Sequence, residues 1–209
     1  PENALSERDM LIAAIRQING ARRERDLPPL INTPLMTAVA VSVHSEQRRL
    51  PIERVALYDA YVNAILEESY RSDDAVRQEL VIWGGSWKAR RDLLGRLALA
   101  IHAGGREGFV VREEQVRQIL RDALPRDSLN AFIQAVRVRG GLFEERTGFF
   151  QFIHLTFQEY LAAQFLANQR ERSRAMLIEH IADPWWREVI LLICGYLVMH
   201  SLSAAQEFL

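Results

Sequence analysis

Apolar residues recur at helical spacing along most of this chain, and the spacing changes to strand-like alternation only between Phe109 and Ile153. Ser6 is placed to cap a first helix, with Met10, Leu11, Ala14, Ile15 and Ile18 on one face. Asn19-Gly20 offers that helix a stop, or a weak point before the charged run from Arg22 to Asp26. Leu27-Pro28-Pro29-Leu30 reads as an extended linker, because a residue before proline is pushed out of the helical region. Thr33 then caps a second helix with Pro34 at its first position, where the missing N–H costs nothing. From Leu35 to about Gln47 this helix is apolar nearly all round, which predicts deep burial. Pro51 opens a third, with Val55, Leu57, Tyr58, Val62, Ile65 and Leu66 facing inward, and Ser72 to Asp74 breaks it.

Gly84-Gly85 and Gly104-Gly105 bracket a helix from about Lys88 to His102. After Gly108, Phe109-Val110-Val111 is a short strand-like run, and Glu113 to Leu124 returns to helical text. Pro125-Arg126-Asp127 reads as a turn and Ser128 as the cap of a helix from Leu129 to Val138, ended by Gly140-Gly141. Leu142 to Ile153 reads as two strands about a Thr147-Gly148 turn. Helix, short strand, helix, helix, hairpin is the order of a winged helix-turn-helix. A further helix runs from Leu155 to about Gln169, and Asp183-Pro184 caps a Trp-rich one from Trp185 to Met199. The fold class is therefore mainly α: a helical domain, a winged helix-turn-helix with a small three-stranded β assembly, and the start of a helical array.

Composition narrows the function classes. A chain of 209 residues with 49% hydrophobic content holds one or two small domains with ample core. A net charge of −1 gives no bulk field toward nucleic acid or anionic lipid. The single cysteine, Cys194, has no internal disulfide partner, which fits a reducing compartment. The apolar run Val189–Met199 falls short of the roughly 20 residues a bilayer span requires. The chain opens on Pro1 without a signal segment and closes on a capping box, Ser203 and Gln206, that starts a new helix; we expect it to be a piece of a longer protein.

Catalytic motifs are missing. There is no Gly-x-x-x-x-Gly-Lys-[Ser/Thr] loop, and the sole lysine, Lys88, is followed by alanine. Neither His-Glu-x-x-His, Cys-x-x-Cys nor Gly-x-Ser-x-Gly occurs, so no catalytic residue and no metal ligand is assigned. One residue carries chemistry: His154, between strand text and helix text. There its ring nitrogen can face an anion together with the backbone N–H groups of the helix start. The aromatic stripe Phe157, Tyr160 and Phe165, with Phe149, Phe150 and Phe152, is assigned to the core.

From Phe150 to Ala163 the residues fill every position of Phe-x-Phe-x-His-x-Thr-Phe-Gln-Glu-Tyr-Leu-Ala-Ala. This resembles the segment closing the winged-helix domain of the NACHT NTPases, a branch of the STAND class of signalling switches. Thr33-Pro34-Leu35-Met36 resembles that family's proline motif, with Thr33 where Asn or Gly is commoner, and Asp183 to Ile190 resembles its entry into a C-terminal helical array. The resemblance implies a helical domain over 1–50, a winged-helix domain over 51–169 and the start of the array over 170–209. It implies that His154 contacts the phosphates and Pro34 packs on the adenine of ATP or ADP, held with Mg in the parent protein and not by this fragment alone. The implied partners are an upstream P-loop NTPase domain, further copies of the protein on activation, and an effector and a sensed ligand the sequence does not identify. The implied setting is cytoplasmic, without membrane. Arginine in place of lysine suits a GC-rich bacterial genome, where such proteins are linked to antiphage defence.

Two other readings stand beside this one. A winged helix invites nucleic-acid binding, and Ser128 to Arg139 offers Asn130, Gln134, Arg137 and Arg139. Yet Phe132, Ile133, Ala135 and Val136 leave little polar face, and Glu144 and Glu145 on the wing repel phosphate. A helical scaffold without a ligand is the third.

Overall fold

The computed structural model describes residues 6–71, 86–106, 109–139 and 141–200. The expected break at Ser72 to Asp74, Gly84-Gly85, Gly108, Gly140 and the helix start at Ser203 lie outside the described residues. The chain forms two compact units, Pro1–Ala64 and Ile65–Leu209.

The first unit holds α1 (Glu7–Arg23), α2 (Pro34–Gln47) and the start of α3 (Arg54–Arg71). Ser6 Oγ accepts from the Asp9 N–H at 3.2 Å, as its position predicts. Asn19-Gly20 does not stop α1. Instead Asn19 reaches sideways to the linker, its Oδ1 accepting from Leu30 and Ile31 N–H at 2.9 and 3.2 Å and its Nδ2 donating to the Ile31 carbonyl at 3.0 Å. That staple satisfies backbone groups which Pro28-Pro29 cannot pair, and Leu30 and Ile31 are buried beneath it. Thr33 Oγ1 caps α2 by accepting from Met36 N–H at 3.2 Å. Burial of α2 is one-sided: Met36, Val39, Ala40, Val43 and His44 are buried, whereas Val41 is 47% exposed. The third helix starts at Arg54 rather than Pro51, and Val55, Leu57, Tyr58, Ala60, Val62 and Leu66 are buried on it.

The second unit contains α4 (Trp87–Ala103), β1 (Val111–Arg112), α5 (Glu113–Leu120), α6 (Arg126–Arg139), β2 (Phe143–Arg146), β3 (Phe149–Phe152), α7 (Leu155–Ala167), α8 (Arg170–His180) and α9 (Arg187–His200). The strands form one antiparallel sheet in the order β1-β3-β2, with Val111 opposite Phe150 and Phe143 opposite Phe152. Thr147 and Gly148 turn the hairpin with φ of 52° and 86°, the positive pair a tight two-residue turn requires. Among the described residues this is the only sheet, and the order helix, strand, helix, helix, hairpin is the winged helix-turn-helix the pattern predicts.

The core of this unit is the packing of α7 on α4 and α9. Gly95 on α4 lets the first pair come close: a Cβ built there would sit 2.8 Å from Phe165 Cβ. Phe157, Tyr160, Leu161 and Phe165 are buried, as are Phe150 and Phe152. Phe149 is the exception to the expected aromatic core. It alternates to the outer face of β3, 36% exposed, with the Arg112 guanidinium 5.0 Å from its ring centroid.

Several boundaries move. The strand after Gly108 shrinks to Val111–Arg112. The helix expected over 113–124 ends at Leu120, where Ala123 and Leu124 both donate to the Leu120 carbonyl, because Pro125 disfavours helix in the residue before it. The next helix begins at Arg126, with Leu129 N–H donating to the Pro125 carbonyl, so Ser128 is a buried residue of its first turn and not its cap. The Trp-rich helix begins at Arg187. Asp183 Oδ1 accepts from Trp185 N–H at 2.8 Å and holds 184–186 in a turn. The helix α8 had no counterpart in the sequence reading.

Candidate functional site

The α7 N-terminus is built by the wing. Pairing of β2 with β3 continues past the last strand residue through Ile153 N–H to the Leu142 carbonyl, at 3.1 Å, so the next residue leaves the sheet in a fixed direction. That residue is His154, extended at φ −157° and ψ 142° and serving as N-cap. Its carbonyl accepts from Phe157 N–H at 3.1 Å and its Nδ1 accepts from Thr156 N–H at 3.1 Å. The buried Phe157 meets the imidazole edge-on, with centroids 6.5 Å apart, which limits the ring's swing.

One consequence concerns the proton. With the Nδ1 lone pair engaged by the helix, the neutral ring carries its hydrogen on Nε2. His154 is exposed, so it offers an N–H donor to solvent from a helix start whose unpaired amides and dipole favour negative charge. No acidic residue lies in the first turn of α7 to cancel that field.

Pro34 occupies the first turn of α2, exposed and directly after the Thr33 cap. It belongs to the first unit and His154 to the second.

Two of the groups that a DNA reader would use, Asn130 and Arg137, are committed elsewhere. Glu113 at the start of α5 accepts from Arg117 Nε at 2.7 Å and from Arg137 Nη2 of α6 at 2.5 Å. The Arg117 hydrogen bond, reinforced by Arg137, holds the Glu113 carboxyl below the usual carboxylate range. Asn130 accepts from Arg117 Nη1 at 2.7 Å. On the wing, Glu144 pairs with Arg146 and Glu145 accepts from Gly148 N–H.

Sequence reasoning missed a ladder of four rings. His102 of α4 stacks on Trp185 and meets Trp186 edge-on, and Trp186 stacks on His180 of α8. The Trp185-Trp186 doublet was the available signal, since two adjacent indoles need two apolar or aromatic seats. Cys194 is half-buried, and burial pushes its thiol pKa up, against a nucleophilic role. Among the described residues no group of three His, Cys, Asp or Glu is placed to hold a metal ion, and no helix is long and apolar enough to cross a membrane.

Residues 54–166 match the family described as the winged helix-turn-helix domain C-terminal to NACHT. No curated protein and no solved structure matches the chain.

Proposed function

The chain belongs to the family of winged helix-turn-helix domains that lie C-terminal to NACHT, and from that premise we propose that it is the nucleotide-sensing regulatory part of a NACHT-type STAND NTPase. In this reading it closes over an ADP held mainly by an upstream P-loop domain. Exchange for ATP with Mg opens the switch and permits oligomerisation and signalling to an effector. The fragment performs no catalysis itself and works in the cytoplasm. Its arginine-for-lysine usage supports a bacterial setting, and antiphage defence is the role we assign there.

The observation that supports this best is the hydrogen-bonding state of His154. Nδ1 is occupied by Thr156 N–H, so the exposed Nε2 is the donor. In the closed state that donor reaches the terminal phosphate of ADP, and Pro34 packs against the adenine. A hydrogen bond to a charged phosphate contributes roughly 1.5–3 kcal/mol. Made in one state only, it shifts a two-state balance by roughly ten- to a hundredfold.

The test is the nucleotide content of the complete protein. Purified without added nucleotide and then denatured, it is expected to release close to one ADP per chain. A preparation that is folded, monomeric and free of nucleotide would refute the proposal.

A further inference from the structure

Two contacts seat α7 on α4, and they keep the same spacing on both helices. Gly95 of α4 meets Phe165 of α7, where an added Cβ would sit 2.8 Å from Phe165 Cβ. Two turns further along α4, His102 Nδ1 stands 3.5 Å from the Nε2 of Gln158, which lies two turns before Phe165 on α7. The helices therefore run antiparallel, with a rise of roughly 10–11 Å between the contacts on each. The first contact is apolar and the second polar, although both are in the core: His102 and Gln158 are fully buried. Gln158 Oε1 has no hydrogen-bond partner, and the contact of its Nε2 with His102 is long. A buried amide satisfied on one side only stabilises less than an apolar side chain of its size. Stability does not explain Gln158.

We infer that Gln158 is a positioning residue: through His102 it fixes the register of α7 on α4, and so the place of His154, an inference that rests on the nucleotide role proposed for that histidine. Sliding α7 by one turn, about 5.4 Å, in one direction sets Gln158 against Ala98 and Leu99, both buried and apolar. In the other direction it carries Gln158 past the end of α4 at Ala103. Either slide costs the amide its one partner, which is how a buried polar group selects a register. Gly95 sets how closely the helices approach, and Gln158 sets which turns face each other. Gln158 N–H donates to the His154 carbonyl at 3.4 Å, so the histidine occupies the adjoining turn and moves with it. A one-turn slide takes the imidazole out of reach of a fixed phosphate, since a hydrogen bond spans only roughly 2.7–3.2 Å.

The test is an NOE measurement on the 209-residue chain carrying Gln158→Met, which keeps the side-chain length and removes the amide. The reporter is the cross-peak between Gly95 Hα and the Phe165 ring, two turns from the substitution and strong in the wild-type chain. In the variant it should fall by about half or more as a second register fills. New cross-peaks from Phe165 to Leu99 or Asp92 should appear, while the urea midpoint stays close to wild type. Leu161→Val, a core change on the same helix, should lower the midpoint and leave the cross-peak intact. An unchanged cross-peak in Gln158→Met overturns the inference, because Gly95 and Phe165 then hold the register unaided. Equal weakening by Leu161→Val, or a clearly lowered midpoint in Gln158→Met, overturns it as well. ADP release from the complete parent separates the positioning role from the nucleotide role. Gln158→Met should speed release by roughly tenfold. If His154→Ala speeds release and Gln158→Met does not, positioning is overturned. If neither does while the cross-peak still falls, the register assignment stands and the nucleotide role fails.

Discussion

The imidazole of His102 lies flat against the indole of Trp185, with centroids 4.6 Å apart and planes 9° apart, while Trp185 Nε1 donates to the His102 carbonyl at 2.9 Å. Trp186 meets the same imidazole edge-on and carries His180 on its own face, 4.4 Å away. These four rings tie the end of α4 to the end of α8 and to the turn that starts α9. His102 is fully buried, and Gln158 of α7 is its polar neighbour at 3.5 Å. Burial lowers its pKa to about 4, against the upward pull of the Trp185 backbone on the ring and of Asp183, and with a smaller downward push from His180.

That value gives a signed pH dependence. The folded pKa lies below the free value of about 6.5, so between the two the unfolded chain binds more protons. Stability from this residue is fully present above about pH 6.5, falls on acidification toward pH 4, and is constant below. The loss is about 3 kcal/mol over that window. Urea unfolding at pH 7 and pH 4.5 measures it. His102→Phe should show a clearly shallower dependence, and an unchanged slope in the variant would contradict the assignment.

Two glycines should respond to alanine with opposite signs. At Gly95 an added methyl would meet the Phe165 side chain at 2.8 Å, so Gly95→Ala should destabilise by roughly 1–3 kcal/mol, outweighing its helix-propensity gain. At Gly20, inside α1, nothing lies within 4 Å, and Gly20→Ala should stabilise by roughly 0.5–1 kcal/mol. Denaturant midpoints of the two variants decide. A shift of the same sign in both would undo the packing argument.

Elements written in local text were legible from the sequence. Ser6 and Thr33 cap the helices their spacing predicts, and Thr147-Gly148 turns the wing. What escaped depended on distant partners. Asn19 looked like a helix stop because its side chain's true partners, Leu30 and Ile31, lie beyond the next loop. Phe149, by contrast, was grouped with the core aromatics although strand alternation sets it on the face opposite Phe150 and Phe152, so its exposure was readable from the sequence. The late start of α9 follows from the turn that Asp183 holds over 184–186, and the seats of its two indoles on His102 and His180 are contacts no local pattern encodes. The placement of His154 at the α7 start was readable from the change of periodicity, whereas the occupation of its Nδ1 was not.

Nucleic acid should not be a ligand. Arg137 and Arg117 are spent on Glu113, and Asn130 on Arg117. A mobility-shift titration of duplex DNA at about 0.15 M salt should give nothing tighter than the non-specific range of roughly 10⁻⁴–10⁻⁶ M. A sequence-dependent shift at nanomolar protein would revive the DNA-binding reading.

With no P-loop motif in its sequence, the chain should hold nucleotide poorly. A few contacts barely offset the loss of ligand freedom, so ATP or ADP is expected to bind no tighter than about millimolar. Calorimetry on the 209-residue chain checks this, and micromolar binding would show that a full nucleotide site lies within it.

The most direct measurement is the rate at which ADP leaves the complete parent protein carrying His154→Ala. The exposed ring can be removed at the cost of one N-cap, typically about 1 kcal/mol, and His154→Asn keeps a capping oxygen as a fold control. Losing a bond made only in the closed state should speed ADP release by roughly ten- to a hundredfold. Both variants should then oligomerise with less stimulus. If each melts close to wild type yet holds ADP as long and stays as monomeric, His154 does not sense the nucleotide and the switch reading fails.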